Sequence, residues 1–90
     1  MSTTAADSVG DDRLTTSEYR DRLRELPPSA KLVAKVLESE SPLSQGQLAD
    51  ESLLPDRTVR YALNRLEESD IVGSRYSFKD ARKQVYFLRT

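Results

Sequence analysis

Apolar residues recur along most of this chain at intervals of three and four, the spacing that places side chains on one face of an α-helix. The clearest stripe comprises Val59, Ala62, Leu63 and Leu66. Pro55 precedes it and suits the first helical position, because its fixed φ matches a helix and its missing N–H is not needed there. Residues 55–69 are therefore predicted to form an amphipathic helix.

A shorter helix is predicted just before this one. Ser44 and Gln47 have the S-x-x-Q spacing of a capping box, in which each side chain satisfies a backbone N–H at the start of a helix. Leu48 and Ala49 then face inward before the pattern stops. Two helices joined by a tight turn are thus predicted within residues 44–70, the arrangement of a helix-turn-helix.

Two further helices are predicted upstream, over residues 15–26 and 29–39. Thr15 and Glu18 repeat the capping-box spacing at the start of the first helix. The apolar stripe of that helix comprises Tyr19, Leu23 and Leu26. The stripe of the second helix comprises Leu32, Val33, Val36 and Leu37. Residues 1–14 are small, polar and acidic, so we expect a disordered tail there, followed by one domain over residues 15–90.

Two strands are predicted at the end of the sequence. Residues 71–78 and 84–89 are rich in β-branched and aromatic side chains and are separated by a basic tip, so they should form a β-hairpin. Alternation along the second strand puts Tyr86 and Leu88 on one face, with Val85 and Phe87 on the other. Only one face can pack on the helices. The other pair is expected to be apolar surface that either the N-terminal helix or another chain covers.

Composition excludes several kinds of function. The 90 residues contain no cysteine and no histidine, which removes disulfides, thiol chemistry and the usual zinc ligand sets. We therefore expect neither a metal nor a cofactor. An enzyme is the weakest hypothesis, because the hydroxyl side chains have no histidine to activate them. The sequence shows neither a secretory signal nor a long apolar run, so a cytoplasmic protein without membrane contact is expected.

The distribution of charge is more informative than its sum. The formal net charge of -1 argues against nucleic-acid binding, since such domains are usually basic. Residues 1–54, however, hold six basic and ten acidic side chains, which gives a formal charge of -4. Residues 55–90 hold eight basic and five acidic side chains, which gives a formal charge of +3. Arginine outnumbers lysine ten to four, which resembles the composition of proteins from salt-loving archaea. The positive half contains the helix predicted over residues 55–69.

The outward face of that helix carries side chains suited to reading DNA. Its central members are Arg57, Arg60, Tyr61 and Asn64, and Thr58 and Arg65 complete the candidate set. Guanidinium, amide and hydroxyl groups can reach guanine, adenine and phosphate in a major groove. Asp56 stands four residues before Arg60, so a helix-surface pair of about 0.2–0.5 kcal/mol is an alternative explanation for both charges.

The order helix, helix, short strand, helix, turn, helix, strand, basic tip, strand is that of a winged helix, an α+β fold. The segment from Leu48-Ala49 through residues 58–63 to Leu66-Glu67-Glu68 resembles the helix-turn-helix of MarR-type regulators, and Asp80-Ala81-Arg82 is similar to the Asp-x-Arg of that family's wing. The resemblance implies that Arg82 enters the minor groove of DNA and that Asp80 holds it in place. This chain differs in having Leu53 where many members have a glycine, and it ends at Thr90 without their C-terminal dimerisation helix.

The leading hypothesis is a sequence-specific transcription regulator that binds double-stranded DNA. The helix over residues 55–69 would lie in the major groove, and the wing over residues 75–84 at the minor groove. Further contacts are expected from the wing residues Arg75, Lys79 and Lys83 and, at phosphates near a helix N-terminus, from Ser44, Gln45 and Gln47. A homodimer through the helix of residues 15–26 is expected, because one winged helix reads only a few base pairs. The alternative is a winged helix that docks a protein through its hairpin and Phe87.

Overall fold

The computed structural model describes residues 13–90, which form four helices and three short strands. In chain order these are α1 (Thr16–Arg24), α2 (Pro28–Ser39), β1 (Leu43–Ser44), α3 (Gln45–Ser52), α4 (Asp56–Glu68), β2 (Val72–Tyr76) and β3 (Gln84–Leu88). The predicted winged-helix order is confirmed. Most of the predicted tail lies outside the described residues. Leu14, its last member, donates its N–H to the Arg89 carbonyl at 2.6 Å and packs against the core.

Both predicted capping boxes are present. The Thr15 hydroxyl accepts from the Glu18 N–H at 3.1 Å, and the Glu18 carboxylate accepts from the Thr15 N–H at 2.9 Å. This backbone hydrogen bond lowers the pKa of Glu18. Ser44 and Gln47 make the same exchange at the start of α3, at 3.2 and 2.9 Å. The four bonds satisfy backbone donors that the first helical turn otherwise leaves free.

The core forms where the stripe of α4 meets α2. All four predicted α4 residues are buried. The α2 prediction is confirmed for Val33 and Leu37 and wrong for Leu32, which is 40% exposed. Val36 is half-buried, and the remaining buried residues of α2 are Ala30 and Ala34. The alanines bring the two helix backbones close together, and a rotation of α2 that buried Leu32 instead would turn the alanines out of this contact.

The apolar stripe of α1 closes onto the same core. Tyr19, Leu23 and Leu26 are each at most 8% exposed. The Tyr19 hydroxyl donates a short hydrogen bond to the Glu38 carboxylate of α2, and Arg22 donates to the Ser69 carbonyl at the end of α4 at 2.9 Å. These contacts use the apolar face of α1 inside the chain, so a second copy would meet only its polar side.

The strands form one antiparallel sheet in the order β1-β3-β2, with Tyr86 paired both with Leu43 and with Ser74. The sequence predicted the β2–β3 hairpin, but the pairing of β1 was not predicted. The face of Val85 and Phe87, for which a cover by the N-terminal helix or another chain was expected, is covered at least in part within the chain. Val85 is buried, and Phe87 is half-buried with its ring over Gly73, which stands opposite it in β2 and has no side chain to fill that space.

The turn between α3 and α4 sets the direction in which α4 leaves the core. Leu53 adopts the left-handed conformation at φ 62°, and its N–H donates to the Ala49 carbonyl at 2.9 Å. Pro55 is the N-cap of α4 and not its first helical residue, with extended backbone at φ -61° and ψ 153°. Its carbonyl accepts from the N–H groups of Thr58 and Val59. Over residues 13–90, no helix is both long and apolar enough to cross a membrane.

Candidate nucleic-acid interface

The outward face of α4 is open to solvent, as predicted. Arg57, Arg60, Tyr61 and Asn64 are exposed, whereas Thr58 is half-buried beside the N-terminus of the helix. The opposite stripe is locked in the core, so the rotation of this face about the helix axis is fixed. The exposed side chains are therefore carried by a rigid element, as a reading surface requires.

Arg65 and Tyr61 form a unit on the same helix. The Arg65 guanidinium donates to the Tyr61 hydroxyl at 2.9 Å and lies 5.9 Å from the centre of its ring. Its Nε is 3.8 Å from the Glu68 carboxylate. Arg65 is thus held along the helix surface, while Arg60 has no such partner among the described residues. Any ligand that recruited the Arg65 guanidinium would compete with both contacts.

The three residues predicted at phosphates near the start of α3 differ in accessibility. Ser44 is 7% exposed and its hydroxyl is used in the helix cap, so we assign it a structural role. Gln47 is exposed, and its amide nitrogen is not used in the capping box. Gln45 donates to the Asp56 carbonyl at 3.3 Å and so joins the start of α3 to the start of α4.

The wing loop has a defined shape. The Ser77 N–H donates to the Lys83 carbonyl at 2.7 Å and closes the loop, and the Lys83 N–H donates to the Asp80 carbonyl at 2.9 Å. The Asp80 carboxylate accepts from the Arg82 N–H at 3.0 Å and lies 3.6 Å from the Arg82 Nε. The Arg82 side chain is nevertheless 93% exposed. Asp80 therefore orients the arginine without covering it, the geometry that the family resemblance implies.

The other predicted wing residues lie on the same hairpin. Lys79 and Lys83 are exposed, and the Lys79 N–H is fixed by the Ser77 hydroxyl at 3.1 Å. Arg75 points its guanidinium at the ring of Phe78, 5.0 Å from the centroid. Phe78 was not singled out from the sequence, where it appeared only as the last residue of a predicted strand.

One open groove brings residues of all three predicted sets together. Its walls include Gln45 and Gln47 of α3, Arg60 of α4, and Arg82 and Lys83 of the wing. The pairing of β1 with β3 makes this possible, because it holds the wing strand beside the start of α3. Eight of the predicted site residues do not line this groove: Arg57, Thr58, Tyr61, Asn64, Arg65, Arg75, Lys79 and Asp80.

Five further groove residues were not among the candidate site residues predicted from the sequence: Gly46, Asp50, Asp56, Gln84 and Tyr86. Strand alternation places Gln84 and Tyr86 on one face of β3, and helical spacing places Asp50 beside Gln47. The sequence therefore contained patterns from which these three residues could have been identified. Burial raises the pKa of the Tyr86 phenol, and the nearby Glu67 carboxylate adds to this while Arg60 opposes it. Tyr86 thus supplies a protonated hydroxyl to the groove. Nowhere in residues 13–90 do three metal-ligating His, Cys, Asp or Glu side chains come together.

Comparisons with known proteins agree with this architecture. Residues 35–72 match the family model described as winged helix-turn-helix DNA-binding. No curated protein sequence is significantly similar to the chain.

Solved structures with this fold include transcription regulators. The S. aureus MepR–DNA complex has a TM-score of 0.68 at 18% identity, covering 82% of this chain and 63% of that one. The transcriptional regulator PA4135 has a TM-score of 0.65 at 26% identity, covering 80% and 54%. A probable transcriptional regulator from Pseudomonas aeruginosa has a TM-score of 0.70 at 18% identity, covering 80% and 55%. The chain spans between about half and two thirds of the length of these structures, and it is a winged helix-turn-helix domain that resembles MarR-family regulators.

Proposed function

We propose that the protein is a transcription regulator that binds double-stranded DNA in a sequence-specific way. The observation that carries this proposal is the groove in which Arg60 of α4 and Arg82 of the wing meet the glutamines of α3. Helix, wing and helix N-terminus are the three parts that a winged helix presents to a duplex. The MepR–DNA complex, with the same fold, supports DNA as the ligand.

The two arginines are proposed to have different tasks. Arg60 stands on the rigid outward face of α4, where a guanidinium can bond both acceptors of a guanine in the major groove. Arg82 is carried by a loop and meets the minor groove, whose base edges distinguish little beyond A·T from G·C. Arg60 should therefore contribute to specificity, and Arg82 to affinity for any duplex.

Selection of bound duplexes from a random pool tests the function and identifies a preferred site. On that site, Arg60→Ala should cost about 1–3 kcal/mol and relax the preference at one base pair. Arg82→Ala should weaken preferred and random duplexes alike and lower the salt slope by about one. Asp80→Ala should reproduce part of the Arg82→Ala effect, because it removes the carboxylate that accepts from the Arg82 backbone N–H and lies beside the guanidinium Nε.

Arg20→Ala is the matched control, since Arg20 is also an exposed arginine but lies in the groove between α1 and α2. It should leave the base preference and the salt slope unchanged. If Arg60→Ala and Arg82→Ala both bind every duplex as the parent does, the proposal is wrong. The salt series should extend to high concentration, because the arginine-rich composition resembles that of salt-loving archaeal proteins.

A homodimer acting in the cytoplasm is part of the proposal. Paired half-sites about ten base pairs apart in the selected duplexes would support two copies on one site. Deletion of residues 1–26 is an unsuitable test, because it removes three core side chains of α1 and the segment just after it. Charge reversal on the outer face of α1, as in Arg20→Glu with Arg24→Glu, is the better test of an interface through this helix. Sedimentation of the parent as a monomer at high concentration would refute the dimer alone.

A further inference from the structure

The wing carries an aromatic side chain in an unusual position. Phe78 is 94% exposed, the highest value among the large hydrophobic residues of the described chain. Tyr76, two residues earlier on the same hairpin, is 64% exposed. Two exposed aromatic rings two residues apart on one hairpin are apolar surface of the kind that can mark a binding site.

Two hydrogen bonds fix the backbone on either side of Phe78. The Ser77 N–H donates to the Lys83 carbonyl at 2.7 Å, and the Lys79 N–H donates to the Ser77 hydroxyl at 3.1 Å. The Arg75 guanidinium lies 5.0 Å from the ring centroid, a cation–π distance. The ring is therefore held outward in a defined position with a guanidinium beside it.

The charged side chains around the ring indicate the chemical class of its partner. Four cations, Arg75, Lys79, Arg82 and Lys83, share this hairpin with one carboxylate, Asp80. An apolar protein surface would bury the ring only by removing water from these cations. A nucleic acid satisfies both groups, since its phosphates neutralise the cations and its sugars and bases accept an apolar ring.

We propose that Phe78 is an apolar wedge that enters the minor groove of duplex DNA and partly unstacks a flexible base step. The inference rests on the proposed function and adds a specificity-determining residue to it. Specificity arises because pyrimidine–purine steps such as TA unstack more easily than the steps of a stiff A-tract. Arg82 on the same loop anchors the wing to the minor groove of the DNA, and Phe78 favours duplexes whose base steps unstack easily.

The test compares two duplexes of equal length and charge, one with central TA steps and one with an A-tract. Each carries 2-aminopurine at its central step, whose fluorescence rises when the base unstacks. Phe78→Ala should bind the TA duplex about tenfold more weakly, equivalent to about 1.4 kcal/mol, and change binding to the A-tract little. The fluorescence rise should be present with the parent and with Phe78→Leu, which keeps an apolar wedge, and absent with Phe78→Ala.

Leu53→Ala is the matched control, because Leu53 is 88% exposed but lies in the turn between α3 and α4. The inference is overturned if Phe78→Ala binds both duplexes as the parent does, or weakens both equally without a change in fluorescence. Loss of self-association in Phe78→Ser, with DNA binding intact, overturns it in favour of a protein interface. A parent protein that binds neither duplex at low salt refutes the proposed function itself, a result distinct from failure of the wedge.

Discussion

Leu53 should be a site where one substitution stabilises the fold. Its φ of 62° lies in the left-handed region, where the Cβ of an L-residue crowds the following carbonyl oxygen. Its side chain is 88% exposed, so the leucine gains little burial in return. A glycine at the same position keeps the hydrogen bond from this N–H to the Ala49 carbonyl and removes the crowding.

The magnitude follows from two opposing terms. Relief of the left-handed strain is worth about 1–2 kcal/mol. The greater freedom of glycine in the unfolded chain takes back about 0.4–1 kcal/mol. The midpoints of these two ranges leave a gain of about 0.8 kcal/mol in the free energy of unfolding for Leu53→Gly. For a domain of this size, that corresponds to an increase in Tm of about 3–6 °C.

Urea unfolding followed by circular dichroism measures this difference, with Leu53→Ala as the control. Alanine keeps the Cβ and therefore the strain, so its stability should stay within about 0.5 kcal/mol of the parent. We expect the direction of α4 to be the same in both variants, so the affinity for DNA should also be unchanged. If Leu53→Gly is no more stable than Leu53→Ala, strain at this turn is not a measurable cost and the reasoning fails.

Three further predictions concern the core, the sheet and the groove. Burial and the hydrogen bond to Glu38 raise the pKa of Tyr19, so above about pH 10 the native state keeps a proton that the unfolded chain releases. The free energy of unfolding should therefore fall as the pH rises through this range, and it should fall less steeply in Tyr19→Phe. Urea titrations at about pH 8 and about pH 11 measure this difference. Gly73→Ala places a Cβ 2.8 Å from Phe87 and should destabilise by about 1–3 kcal/mol, with partial rescue by Phe87→Leu in a double-mutant cycle. Asp50→Asn removes a carboxylate from the groove and should strengthen random-duplex binding more than preferred-site binding in a competition assay at low salt.

The helix pattern predicted most of the fold because each helix buries a stripe that repeats locally. The stripe of α4 and both capping boxes depend on residues within one or two turns of each other, and all of these are confirmed. The phase of α2 could not be settled in this way. Leucine and alanine both fit the helical period there, and the choice depends on how closely α4 approaches.

The groove was less predictable because it depends on contacts between distant segments. β1 is only two residues long, too short for a periodic signal, yet its pairing with β3 brings the wing beside the start of α3. Six of the groove residues were among the candidates predicted from their own chemistry, but their grouping was not predicted. Phe78 was mispredicted in another way. A strand-like pattern predicts a half-buried side chain there, but β2 ends at Tyr76 and Phe78 lies exposed in the wing loop.

The overall acidity of the chain is compatible with DNA binding once the groove is considered. The groove sets Asp50 and Asp56 beside Arg60, Arg82 and Lys83, so its charged side chains are nearly balanced. Carboxylates repel phosphates at any register, whereas a guanidinium bonded to a base edge requires the correct sequence. On the proposed function, the acidic residues would therefore weaken non-specific binding more than specific binding, and the ratio of specific to non-specific affinity would increase. Net charge would then set how strongly any duplex is attracted, and the geometry of the groove would set which duplex is bound most tightly.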